Sequence, residues 1–204
     1  MNDKKNQNPA FPSLKGLWLN KDNPKLKEEL KDRTEKLKKS VLASQPTSEE
    51  VARSMVKIGF DFDGTLSETN FFGKPSIDFK SVREFFLELK EKGFDVRIIT
   101  RRFGEDFDNG ENQEHQKVYE LAELLGLDKE SVHFTNRKWK VDMIHELGIH
   151  LLVDDDYEDC MLVRQRFSIY NAVCLSKEHN NDVAWRYGAD SMIRFYVKLY
   201  QDKD

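Results

Sequence analysis

Five short apolar runs, each followed by a stretch long enough for a helix, constrain this 204-residue chain more than any other feature. The runs lie at 56–60, 96–100, 132–135, 149–153 and 172–175. Each is short and mostly apolar, the pattern of a strand buried on both faces. The intervening stretches at about 78–92, 113–125, 141–147 and 157–167, and a last one at 182–200, read as helices. Gly93, Gly126 and Gly148 supply stop signals behind three of them. Strand–helix alternation of this kind builds βαβ units. The expected fold is therefore α/β: a three-layer Rossmannoid parallel sheet with helices on both faces. Ligands on such sheets bind beyond the carboxyl ends of the strands, where the strand order reverses.

The polar residues just after the strands are thus the candidates for chemistry. The first strand leads into Asp61-Phe62-Asp63-Gly64-Thr65, the second ends at Thr100 before Arg101 and Arg102, and the fourth leads into Asp154-Asp155-Asp156. Lys140 precedes the helix that feeds the fourth strand, with Lys138 as the alternative lysine. Acidic side chains gathered on one rim repel each other, and a hard divalent cation with oxygen ligands relieves this; Mg2+ is the common choice beside phosphate. An aspartate in such a place can attack phosphorus and form an aspartyl phosphate. A second carboxyl two residues on can protonate the leaving alkoxide and later deprotonate water. Thr100 can hydrogen-bond a phosphoryl oxygen, and Lys140 can neutralise charge on the nucleophile and the phosphoryl group. Asp154 and Asp155 can hold the metal.

Asp61-x-Asp63-Gly64-Thr65, then Thr100, then Lys140, then Asp154-Asp155, in this order and these contexts, resembles the haloacid dehalogenase (HAD) superfamily. The resemblance covers about 55–176, with the last helix included. It implies Asp61 as nucleophile, Asp63 as acid/base, and Thr100 with Lys140 as the phosphate-binding pair. It implies Mg2+ held by Asp61, the Asp63 carbonyl and one of Asp154 or Asp155. An acid at Asp63 implies a phosphatase or phosphotransferase, since members that cleave carbon–halogen bonds lack one there.

In this superfamily cap insertions choose the substrate. Here 64–77 is only a short flap and Thr135 leads almost directly to Lys140, so the core reads as capless and open. The flap length, the basic pair Arg101-Arg102 and the Asp-Asp ending are loosely similar to polynucleotide 3'-phosphatase domains and to 5'-deoxynucleotidases. A phosphorylated substrate is expected, with a nucleotide or nucleic-acid end among the candidates. A non-catalytic binding module and a phosphotransferase to an acceptor other than water are the alternatives.

A formal net charge of -4 argues against a strongly basic nucleic-acid binder but leaves room for a local basic groove. Cys160 and Cys174 have no CxxC spacing; they read as two buried thiols in a reducing, cytoplasmic setting. No apolar run is long enough to span a membrane, so no membrane partner is expected. Residues 1–50 read as an arm (1–24), a charged helix (25–39) and a linker (43–48), ahead of a domain at 51–204. Asp156 is expected to cap the next helix and Asp159 to lie on its solvated face. Arg101 and Arg102 are expected either to grip a second phosphate or a nucleic-acid backbone, or to be solvent-exposed or in structural ion pairs. Phe71, Phe72 and Phe103 can line an entrance and stack on a base, although core packing is expected for at least two of them.

Overall fold

The structure is a computed structural model that describes Glu28 and residues 46–76, 78–107, 113–168, 171–175 and 182–202. The expected arm and charged helix lie outside these residues. The chain divides into two units, Met1–Gln45 and Pro46–Asp204, and the second contains everything below.

It opens with helix α1 (Ser48–Met55). Thr47 and Ser48, expected to be linker, start this helix instead. Thr47 accepts from the Glu50 N–H while the Glu50 carboxylate accepts from the Thr47 N–H, a reciprocal cap that satisfies two otherwise orphaned donors.

Five strands follow: β1 (Lys57–Phe60), β2 (Asp95–Thr100), β3 (Val132–Phe134), β4 (Leu151–Asp154) and β5 (Ala172–Cys174). All pair in parallel, in the order β3-β2-β1-β4-β5. Between them run α2 (Phe79–Glu91), α3 (Glu114–Leu124), α4 (Lys140–Leu147) and α5 (Tyr157–Arg166), and α6 (Asp182–Gln201) ends the chain. This is the expected three-layer α/β fold.

Alternation along the strands splits the core into two layers. Ile58, Phe60, Val96, Ile98, Leu151 and Val153 pack with Phe85, Phe86, Val118, Trp185 and Ile193 from α2, α3 and α6. Ile99 and Leu152 point the other way, onto Ile144, Cys160 and Val163 from α4 and α5. Gly59 belongs to this second face, where a Cβ would meet Ile99 Cδ1 at 2.6 Å. Both cysteines are buried thiols, as expected. His150 accepts from the Lys57 N–H at 3.0 Å and lies 2.7 Å from the Tyr200 hydroxyl, tying α6 to the strand starts.

The chain leaves β1 for β2 and β3 on one side and returns to β4 on the other. The order reverses beside β1, so a crevice must open past Phe60 and Val153. Asp61, Asp154 and Asp155 stand at that point.

Candidate active site

Asp61 continues the β1 ladder by one residue, its N–H donating to the Val153 carbonyl at 2.9 Å. The chain then swings through a wide turn closed by the Ser67 N–H on the Phe62 carbonyl. Gly64 makes the turn possible, at φ 81° in the left-handed region. Its missing Cβ also leaves room for Asp155, whose Oδ2 would stand 2.2 Å from one. Gly64→Ala should therefore push Asp155 aside and weaken binding of a divalent cation at the Asp61, Asp154 and Asp155 cluster about 10- to 100-fold. Calorimetric titration with Mg2+ measures this, and an unchanged affinity would contradict the packing argument.

The central contact belongs to Lys140. Its Nζ lies 2.7 Å from Asp61 Oδ1, 2.7 Å from Asp154 Oδ2 and 3.5 Å from Asp159 Oδ2. The side chain is 2% exposed. Lys138, the alternative, is exposed. Asp159, expected on a solvated face, is instead wholly buried, and its Oδ1 accepts from the Lys140 N–H at 3.0 Å. Within the first turn of α5, Tyr157 and Glu158 face water but Asp159 faces inward, so Asp159 becomes a partner of the lysine. Asp156 caps α5 as expected, accepting from the Glu158 and Asp159 N–H groups.

Thr65, which the sequence reading gave no task, is fully buried and joins the two acidic turns. Its hydroxyl accepts from the Asp155 N–H at 3.1 Å and lies 3.3 Å from Asp155 Oδ1. Asp63 is held from the opposite side. Arg102 grips both its oxygens, at 2.7 and 2.8 Å, with the guanidinium 4.7 Å over the Phe62 ring. Arg102 is thus ion-paired in this structure, while Arg101 lines the cleft 4.4 Å over Trp139 and 3.4 Å from Asp156. Thr100 ends β2 fully buried, its hydroxyl accepting from the Arg102 N–H at 3.2 Å.

A second residue missed in the sequence is Arg137. Asn136 and Arg137 sit at φ 53° and 68°, a conformation that costs non-glycine residues about 1–3 kcal/mol each. Their N–H groups extend the β2–β3 ladder, bonding the carbonyls of Arg102 and Arg101 at 3.3 and 2.8 Å. The strained turn aims the Arg137 guanidinium over Phe71, at 4.3 Å, and Phe103, at 5.0 Å. Glu114, at the start of α3, pairs with Arg137 and accepts from the Phe103 N–H.

The flap is a small hairpin closed by the Thr69–Pro75 bridge. Asn70 Oδ1 accepts from the Phe72 and Lys74 N–H groups, both at 3.0 Å, which fixes the tip. Phe71 and Phe72 are not core residues: they are 46% and 83% exposed, because the hairpin projects beyond the sheet. With Asn70, Arg101, Arg137 and the acidic residues they line a cleft of about 570 Å3. No inserted domain interrupts the flap segment or the path from Thr135 to Lys140.

Asp61, Asp154 and Asp155 each place a carboxylate oxygen within 4.8 Å of the others. Burial first, then the neighbouring carboxylates, pushes Asp61 up to about 7 against the pull of Lys140. Asp155 is likewise pushed up to about 7 by burial and by Asp154, and burial raises Asp154 well above the usual carboxylate range. Burial alone would lower Lys140, but Asp154, Asp61 and Asp159 outweigh it and hold the ammonium charged. One ammonium thus faces four buried or half-buried carboxylates. A hard, oxygen-liganded divalent cation fits this donor set.

The linkage has a definite sign. Between the ordinary carboxylate range near 4 and about 7, the metal-free native state holds protons that the unfolded chain has lost. The site's contribution to stability therefore falls as pH rises through that window. A cation bound by these carboxylates would hold them ionised and remove the penalty. The stability gained on adding a divalent cation, with Mg2+ as the probe at roughly millimolar concentration, should accordingly be larger at pH 8 than at pH 5. Urea denaturation with Mg2+ or with chelator checks this, and an equal gain at both pH values counts against it.

No protein-family model and no curated protein matches the chain. Solved structures do align with it. One, from Vibrio cholerae, is assigned as a 3-deoxy-D-manno-octulosonate 8-phosphate phosphatase; it is 18% identical over 76% of this chain and 91% of that one, with a TM-score of 0.39. Another is the HAD domain of effector protein Lem4 from Legionella pneumophila, 13% identical over 69% of this chain and 95% of that one, with a TM-score of 0.42. Among the described residues no helix is long and apolar enough to cross a membrane.

Proposed function

We propose that this chain is a Mg2+-dependent phosphomonoesterase of the haloacid dehalogenase type that works through an aspartyl phosphate on Asp61. One observation carries the reading: Lys140 Nζ bridges Asp61 and Asp154 at 2.7 Å each, so motif residues from widely separated segments meet at one strand-end rim.

Asp61, Asp154 and Asp155 would hold the ion, with the Asp63 carbonyl as the further ligand that the family resemblance implies. When bound, the ion supplies positive charge that keeps Asp61 ionised and neutralises phosphoryl oxygens. The Asp61 carboxylate attacks phosphorus, an Asp61–phosphorus bond forms, and the bond from phosphorus to the ester oxygen breaks. Asp63 gives its proton to the leaving alkoxide and then takes one from the water that releases phosphate. Lys140 orients Asp61 and balances the charge gathering on the transferring group. Thr100 offers its hydroxyl proton to a phosphoryl oxygen and anchors the Arg101-Arg102 turn. Asp63 can act only once the Arg102 fork lets go of it, and an arriving phosphate dianion competes directly for that guanidinium.

The test is phosphate release from a panel of esters with Mg2+ and with chelator, followed by borohydride reduction of the enzyme during turnover. Reduction of an acyl phosphate at Asp61 leaves homoserine, which mass spectrometry locates. Mg2+-dependent turnover with homoserine at residue 61 is expected. Turnover with the mark elsewhere overturns the mechanism, and no turnover of any ester favours a binding module.

A further inference from the structure

The outer half of the cleft carries chemistry that phosphoryl transfer does not need. Phe72 presents an 83% exposed ring, in T-shaped contact with Phe71, on a tip fixed by Asn70. Arg101 and Arg137 line the same cleft, each guanidinium already laid against an aromatic ring. Arg137 reaches its place through a left-handed turn, and its guanidinium also pairs with Glu114, so a phosphate there would share the fork with that carboxylate. Asp156, which faces Arg101, is engaged in capping α5, and its contact with the guanidinium is long at 3.4 Å. Lys140, by contrast, is sealed among carboxylates and is committed to the reacting phosphate.

From this we infer that the substrate is a phosphomonoester whose leaving group carries a nucleobase and a second phosphate, as at the phosphorylated end of an oligonucleotide. The base stacks on Phe72, and Arg101 with Arg137 takes the second phosphate. An exposed phenyl ring accepts any base by its π face. Guanidinium forks match phosphate oxygens two at a time. The cleft, at about 570 Å3, is of a size that holds a nucleotide. The net charge of -4 provides no general field for a long polyanion, so recognition stays local, at the chain end. The inference rests on the phosphomonoesterase reading and adds the substrate class to it.

Four esters separate the contributions: a dinucleotide with a terminal phosphate, a nucleoside monophosphate, a sugar bisphosphate and a sugar monophosphate. The dinucleotide should show the highest kcat/KM, about 100-fold above the sugar monophosphate. Phe72→Ala should lower the ratio between base-bearing and base-free esters about tenfold. Arg137→Gly should lower the ratio between two-phosphate and one-phosphate esters about tenfold; glycine accepts φ 68° without strain, so this variant keeps its turn. Equal kcat/KM on all four esters, or variants that leave both ratios where they were, overturns the inference while Mg2+-dependent turnover still upholds the phosphomonoesterase reading. Absence of turnover on all four overturns both.

Discussion

Asp61→Asn should lower phosphate release by about four orders of magnitude or more and at the same time make the metal-free protein more stable. The first effect follows from the role proposed for Asp61. An amide cannot form the acyl phosphate, and removal of a nucleophile in a tightly coupled site costs a factor of about 10^4 to 10^6. The second follows from burial. The Asp61 carboxyl is pushed up to about 7, so the folded protein at pH 8 carries a charge its surroundings disfavour. Asparagine has nearly the same shape and keeps an oxygen to accept from Lys140 Nζ. The expected gain is about 1 kcal/mol or more at pH 8, or about 3 °C in Tm. Phosphate assays and thermal melts in chelator read the two effects separately. Retained activity would sink the nucleophile assignment, and a lower Tm would mean that the Asp61–Lys140 pair outweighs the cost of burying the charge.

Lys140→Met should act in the opposite direction on stability and in the same direction on activity. Methionine fills a similar volume but leaves Asp61, Asp154 and Asp159 around an apolar side chain. Removing one partner from a buried ion pair costs about 3–5 kcal/mol, because the remaining charges stay out of water. Set against a domain stability of about 5–15 kcal/mol, that is a large share. The urea midpoint should fall by about 2 M in chelator. Lowering the pH should return part of the loss, since protonated carboxyls no longer need the ammonium. A midpoint that holds within about 0.3 M of wild type would show that Lys140 is not the counter-charge of the cluster.

Much of this site was legible in the sequence because its parts are short-range. Each strand lies in a short, mostly apolar run, the Asp61, Thr100 and Asp154 motifs stand at strand ends, and Gly93, Gly126 and Gly148 stand at helix ends. Position along the chain also favoured Lys140, and the structure brings it rather than Lys138 to Asp61 and Asp154. What escaped depends on neighbours that lie far off in sequence. The buried side of α5 is Asp159, Cys160 and Val163, which makes no apolar stripe, so nothing local betrays a carboxylate facing Lys140. Phe71 and Phe72 look like core residues until the hairpin that carries them is seen to project past the sheet. The left-handed turn at Asn136-Arg137 had one faint signal, an asparagine in a short loop. The opening helix had a clearer one, Thr47 three residues before Glu50, hidden by a neighbouring proline that read as linker.

The flap separates the two tasks of the cleft. Its tip is held by hydrogen bonds from its own backbone to Asn70, whereas the carboxylates and Lys140 are fixed by strands and by α4. Phe72 can therefore be exchanged without disturbing the reacting groups, whereas Phe71 also packs under the Arg137 guanidinium. A duplicated copy of such a gene could drift toward new esters by changes at the tip alone, with its chemistry intact throughout. The same independence makes this hairpin the natural place to randomise in a search for altered specificity.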